Sequence, residues 1–296
     1  MRHFLEVDDL SPEELTRVLD LAEVDHPDPV LAGQGVALIF EKPSNRTRNA
    51  TEMAVVQLGG HPVSIRGEEV GMGTREPVED VTRVLARYHR VVGARVFDHA
   101  VLETMAQVGE VPVVNLLSDL AHPCQSLADL LTLRRRWGSL PGHRVAWVGD
   151  GNNVARSLTL ACAMSGVDVS LACPAGHELD PVALDGVSAF GGRVHVAASP
   201  EEAVAGADAV CTDVWVSMGQ EAEQAHREDA FSGYQVDRGL MARAAPGAVF
   251  LHCLPAHRGL EVSASVIDGA SSLVWDQAEN RMHAARGLLL WLLGAA

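Results

Sequence analysis

The sequence predicts an α/β protein of two domains, each a parallel sheet with helices on both faces, and a C-terminal helix that packs back on the first domain. Three features carry that prediction. Short apolar runs rich in strand formers alternate with stretches of helical composition, in the order strand, polar loop, helix. The chain has 296 residues, 47% of them hydrophobic, which is enough for two cores. Between two such series lies the punctuated stretch Trp137-Gly138-Ser139-Leu140-Pro141-Gly142. Residues 1–136 are therefore assigned to a first domain, 137–275 to a second, and 276–296 to the returning helix.

In chain order, Ser11-Pro12-Glu13-Glu14 supplies an N-cap, a proline at the first helical position and acid in the first turn, so a helix runs to about Glu23. Val36–Phe40 reads as a buried strand, followed by polar Glu41–Ser44 and a helix from Asn45 to Leu58 that Gly59-Gly60 stops. Val111–Asn115 is a strand ahead of a helix from Ser126 to Arg136. Past the linker, strand Val145–Gly149 precedes a helix over Val154–Ser165, and Val167–Cys173 is the next strand. Ala209–Cys211 and Ala248–Leu251 read as further strands, and Gln277–Leu293 as a closing helix, amphipathic early and apolar late. Ligands of such folds bind at the carboxyl ends of the strands.

Composition removes several functions. Lys and Arg total 23 against 39 Asp and Glu, a formal charge of -16, which excludes the basic face that nucleic acid requires. Five cysteines (Cys124, Cys162, Cys173, Cys211, Cys253) lie far apart without a C-x-x-C pair, so neither a disulfide framework nor a zinc ribbon is predicted. Met1-Arg2-His3-Phe4 leads into acid rather than an apolar signal core, and the run Leu288–Leu293 is far short of the ~20 residues that span a bilayer. The expectation is a cytoplasmic protein with no membrane partner.

The loops after strands hold the chemistry. Ser44-Asn45-Arg46-Thr47-Arg48 stands where a helix N-terminus already favours an anion, and its two guanidiniums and two hydroxyls suit a phosphate or carboxylate better than a cap with solvated arginines. Gly149-Asp150-Gly151-Asn152-Asn153-Val154 fails the dinucleotide fingerprint, because its third glycine position is Val154 and no acid ends the next strand. It reads as a tight turn, or as a place where the Asn153 amide meets a small zwitterion. His122-Pro123-Cys124-Gln125 holds either a structural histidine or a donor to a developing oxyanion. His252-Cys253-Leu254-Pro255-Ala256-His257-Arg258 suggests a metal by composition but fits no closed zinc spacing, so none is assigned. Asp213-Val214-Trp215-Val216-Ser217-Met218-Gly219 is either a surface loop or one whose Asp213 pairs a ligand ammonium.

Together these segments, with Gln57-Leu58-Gly59-Gly60-His61 and Asp276-Gln277-Ala278-Glu279-Asn280-Arg281-Met282-His283, resemble the aspartate/ornithine carbamoyltransferase family, and its ornithine branch in particular. The likeness runs over nearly the whole chain. It implies a cofactor-free transfer from carbamoyl phosphate to the δ-amine of L-ornithine, giving citrulline in arginine metabolism. Carbamoyl phosphate would meet Ser44, Asn45, Arg46, Thr47, Arg95, His122, Gln125 and Arg281. Ornithine would meet Asn153, Asp213, Ser217, Met218, Cys253 and Leu254. Arg95, His122 and Cys253 are the implied catalytic groups, and a homotrimer is the implied assembly. The chain departs from the family pattern at Asn45, where threonine is usual, at Ala50-Thr51-Glu52, where an aromatic is lost, and at Gly71, where glutamine is usual. A transferase for a different amine and a silent carbamoyl-phosphate-binding relative are the alternatives.

Overall fold

The computed structural model describes residues 1–216 and 223–294. It divides into two compact units, Met1–Leu131 with Glu279–Ala296, and Thr132–Ala278. In the first, strands β1 (Gly35–Phe40), β2 (His61–Arg66), β3 (His89–Arg95) and β4 (Val113–Leu117) form a wholly parallel sheet in the order β2-β1-β3-β4. In the second, β5 (Arg144–Val148), β6 (Asp168–Ala172), β7 (Val194–Val196), β8 (Ala209–Thr212) and β9 (Val249–His252) form another, in the order β7-β6-β5-β8-β9. Among the described residues no helix is long and apolar enough to cross a membrane.

Local chemistry explains the elements. Ser11 and Glu14 form a reciprocal capping box on the helix Pro12–Ala22, and Glu13 and Glu14 face its positive end. β1 reads Gly-Val-Ala-Leu-Ile-Phe and is buried along its interior, as a central parallel strand requires. β2 contains Pro62, which lacks the N–H of a central strand, and it lies accordingly at the sheet edge. The first core gathers Ala37, Ile39, Val81, Val92, Leu102 and Met105, and the second Ala146, Val148, Val210, Phe250, Val262 and Ile267.

The helix Val274–Leu292 ends in the first unit and packs on its first helix. A Cβ on Gly287 would stand 2.5 Å from the Val18 carbonyl oxygen, so glycine there permits backbone-to-backbone approach. Arg286 donates to the carbonyls of Ala22 (2.9 Å) and Val24 (2.7 Å), a cation closing the negative end of the helix Pro12–Ala22. The helix Pro123–Trp137 begins three residues before the predicted Ser126, with Pro123 at its first position.

Candidate active site

Three connections at the carboxyl ends of β1, β3 and β4 meet in the first unit. Ser44 caps the helix Asn45–Gln57, its Oγ accepting from the Thr47 N–H at 3.3 Å. The Thr47 hydroxyl oxygen accepts from Arg281 at 2.7 Å and from Arg95, the last residue of β3, at 3.5 Å. Two acceptances use both lone pairs, so the remaining capacity of that hydroxyl is its O–H donor. Arg281 also donates to Gln125 Oε1 at 2.7 Å, and Gln125 Nε2 donates to Asp129 at 2.8 Å. Thr47, Arg95, His122, Gln125 and Arg281 are all buried.

Electrostatics sets the state of His122. Burial first, then Arg281, Arg95 and Arg46, hold its imidazole well below the usual histidine range. At neutral pH the ring is therefore uncharged, a hydrogen-bond donor beside three permanent cations. Arg46 is half-buried. With the N-termini of the helices Asn45–Gln57 and Pro123–Trp137 added, the cluster suits a compact dianion carrying a polarisable carbonyl.

Two members of the Ser44–Arg48 run turn elsewhere. Arg48 pairs with Glu52 at 2.9 Å on the exposed helix surface, because residues two apart point to different faces and Arg46 takes the inner one. Asn45 is exposed, and its Oδ1 accepts from Asn49 at 3.0 Å, so its side chain lies along the helix surface. Cys124 donates to the Asn115 carbonyl at 3.3 Å, and burial pushes its thiol up to about 12, which removes it as a nucleophile beside His122. Gly71 takes a left-handed conformation (φ 65°) that favours glycine over glutamine.

In the second unit, adjacent strands β5, β8 and β9 deliver Asp150, Asp213 and Cys253 at their carboxyl ends. Asp213 Oδ1 accepts from the Cys253 thiol at 3.1 Å, and Oδ2 accepts from Asn152 Nδ2 at 2.9 Å. Asn152 Oδ1 meanwhile caps the helix Asn153–Met164, accepting from the Val154 and Ala155 N–H groups at 3.0 and 3.1 Å. Asn152, which the sequence did not single out, thus orients Asp213, and Asn153 is the half-buried first residue of that helix. Asp150 pairs with buried Arg227, which also donates to the Trp215 carbonyl at 2.6 Å. Burial pushes the Asp150 carboxyl up to about 6; Arg227 pulls it down and Asp213 adds to the rise. Ser217 and Met218 lie outside the described residues.

The glycine turn is explained by packing. Gly149 has φ 137°, and a Cβ on Gly151 would stand 2.3 Å from the Leu179 nitrogen, so a neighbouring loop occupies the space beside it. Asp213, His252 and Cys253 bring donor atoms within 4.8 Å of one another. Both ring nitrogens of His252 are engaged, however: Nδ1 accepts from the Leu254 N–H at 2.9 Å and Nε2 meets Glu261 at 3.1 Å. A metal would have to break one of these bonds.

Comparison with known proteins agrees with this division of labour. Residues 2–135 match the profile of the carbamoyl-P binding domain of aspartate/ornithine carbamoyltransferases, and residues 141–292 match their Asp/Orn binding domain. The ornithine carbamoyltransferase of Acidothermus cellulolyticus is 50% identical, over 100% of this chain and 98% of that relative. The Thermus thermophilus enzyme of the same name is 49% identical, over 99% and 97%. The solved ornithine carbamoyltransferase of Pyrococcus furiosus superposes with a TM-score of 0.95 at 42% identity, covering 100% of this chain and 98% of that one.

Proposed function

Since the chain belongs to the aspartate/ornithine carbamoyltransferase family, we propose that it transfers the carbamoyl group of carbamoyl phosphate to the δ-amine of L-ornithine, giving L-citrulline and phosphate. The observation that carries this reading is the meeting of Arg281 and Arg95 on Thr47 beside a neutral His122. In the first unit Ser44, Arg46, Thr47, Arg95, Gln125 and Arg281 hold the phosphate and carbamoyl oxygens. His122, being uncharged, donates to the carbamoyl carbonyl and strengthens that bond as negative charge grows there.

In the second unit Asp213 pairs with the ornithine α-ammonium, Asn153, Ser217 and Met218 complete recognition of the amino-acid head, and Cys253 and Leu254 flank the δ-amine. An alkylammonium of pKa about 10.4 is no nucleophile, so the reaction begins from the neutral amine. Its nitrogen attacks the carbamoyl carbon, the bond from that carbon to the phosphate oxygen breaks, phosphate leaves toward the guanidiniums, and the proton that the nitrogen gives up passes to the departing phosphate. No cofactor enters these steps.

The working assembly in this reading is a trimer in the cytoplasm. Met53, Val56, Val84 and Tyr88, exposed on the helices Asn45–Gln57 and Val78–Tyr88, support a face covered by another copy, and sedimentation analysis tests it. The reaction itself is tested by supplying carbamoyl phosphate with ornithine, acetylornithine, putrescine or aspartate and identifying products by mass spectrometry. Citrulline from ornithine, in preference to the other products, is expected. Preference for another amine, or no turnover, overturns the reading.

A further inference from the structure

β9 ends at His252, and the chain then passes through Cys253 to Leu254, whose φ of 59° lies in the left-handed region that bulky residues rarely adopt. Such a conformation persists only where its surroundings determine it, and here the determinant is a chain of hydrogen bonds. The Leu254 N–H donates to His252 Nδ1 at 2.9 Å. A backbone N–H can only donate, so Nδ1 must carry its lone pair, and the proton of the neutral ring sits on Nε2. That proton is donated to Glu261 Oε1 at 3.1 Å, and the same oxygen accepts the His257 N–H at 2.6 Å. Both side chains of the pair are 0% exposed. The His252 N–H is fixed separately, by Gln277 Oε1 at 2.9 Å.

A carboxyl group in the interior is costly unless its hydrogen bonds do something that an apolar side chain could not. Glu261 Oε2 has no hydrogen-bond partner among the described residues, and the exposed His257 ring lies 3.8 Å from it. What Oε1 does is select the His252 tautomer, and the tautomer holds Leu254. One residue earlier, the Cys253 thiol lies 3.1 Å from Asp213.

We propose that Glu261 and His252 form a buried positioning dyad: Glu261 fixes the His252 tautomer, His252 holds Leu254 in its left-handed turn, and the turn aims Cys253 at Asp213 and at the acceptor amine. The inference deepens the ornithine reading and rests on it for the identity of that amine. Neither residue touches substrate. A misplacement of order 1 Å at a reacting group costs about 100-fold, and this is the size of effect the dyad prevents.

The test separates the two bonds of the imidazole. In His252→Asn the amide oxygen reaches the place of Nδ1 and still accepts from Leu254, whereas in His252→Gln the amide nitrogen reaches the place of Nε2 and Leu254 loses its acceptor. Glu261→Gln keeps an acceptor for Nε2, and Glu261→Leu removes it. Ornithine kcat/KM is expected to fall about 100-fold in His252→Gln and Glu261→Leu, and several-fold or less in His252→Asn and Glu261→Gln. The KM for carbamoyl phosphate stays put in all four. Alkylation of Cys253 by iodoacetamide, followed by peptide mapping, changes rate in the first two variants only. Equal losses in His252→Asn and His252→Gln overturn the dyad, as does a fall in both substrates' parameters that tracks Tm. Should Glu261→Leu fail to fold, the two His252 variants decide. If the unmodified protein makes no citrulline, the ornithine reading fails alone, because the alkylation pattern still tests the dyad.

Discussion

The two units share one architecture and use opposite charge. At the strand ends of the first, three guanidiniums surround a histidine that burial and their own field keep neutral. At the strand ends of the second, Asp213 is held by a thiol and an amide, and the nearby cation, Arg227, is engaged by Asp150 and the Trp215 carbonyl. A parallel sheet with helix N-termini at its ligand edge favours anions in general. The second unit therefore reverses that bias with side chains, which places ligand choice in the loops and not in the fold.

The largest test of this contrast is Arg281→Ala, which removes a charged donor and leaves Thr47 and Gln125 each short of a partner. At about 1.5–3 kcal/mol for each charge-assisted bond, kcat/KM for carbamoyl phosphate should fall about 100-fold or more, with the ornithine KM nearly unchanged. Asp213→Asn should do the converse, raising the ornithine KM about tenfold and sparing carbamoyl phosphate. Steady-state rates with each substrate varied read both; if either variant raised the two KM values equally, the contrast would be broken.

Acid separates the units differently. His122 is depressed in the folded chain, so between its folded pKa and about 6.5 the unfolded chain binds more protons, and its contribution to stability is lost as pH falls below 6.5. Asp150 is raised from 3.8 to about 6, so its contribution is present below 3.8 and lost as pH rises through 6. That shift corresponds to about 3 kcal/mol. Denaturation across pH 4–7 should show His122→Gln flattening the acid-side loss and Asp150→Asn flattening the opposite slope. Identical pH profiles for the two variants would remove the electrostatic part of the contrast.

The smallest effect sharpens it by touching neither site. Thr51, standing where the family's aromatic is lost, lines a small apolar cavity with Val36, Leu38, Val91, Cys124 and Leu288. Thr51→Ile should fill part of it and add about 1 kcal/mol, about 2–4 °C in Tm, without changing either KM. Differential scanning calorimetry measures it, and a lower Tm would mean that the cavity cannot accept the methyl group.

What the sequence disclosed followed the physics of each element. β1, β5, β8 and β9 hold continuous apolar runs, the runs of β4 and β6 are broken inside only by Asn115 and Ser170, and all six were legible as strands. β2 and β7 were not, since edge strands carry exposed and polar residues, and β3 hides its pattern behind His89, Arg90 and a glycine. The proposed anion site at Ser44–Arg48 was suggested by a helix start and its side chains, but Arg48 turns to Glu52 on the outer surface, because a run of letters does not say which face each takes. Arg95 and Arg281 came from family likeness alone, their meeting on Thr47 spanning 48 and 234 residues of chain. Asn152 was passed over for Asn153, since either amide could have been the cap. The Arg227–Asp150 and His252–Glu261 pairs rest on tertiary contact that no local spacing announces.

Group transfer can be followed atom by atom with carbamoyl phosphate labelled with 13C and mixed with ornithine, using 13C and 31P NMR together. Label is expected to leave carbamoyl phosphate only into the ureido carbon of citrulline, at the rate inorganic phosphate grows. Phosphate release with label in bicarbonate, or no loss of carbamoyl phosphate beyond its spontaneous decay, would contradict it.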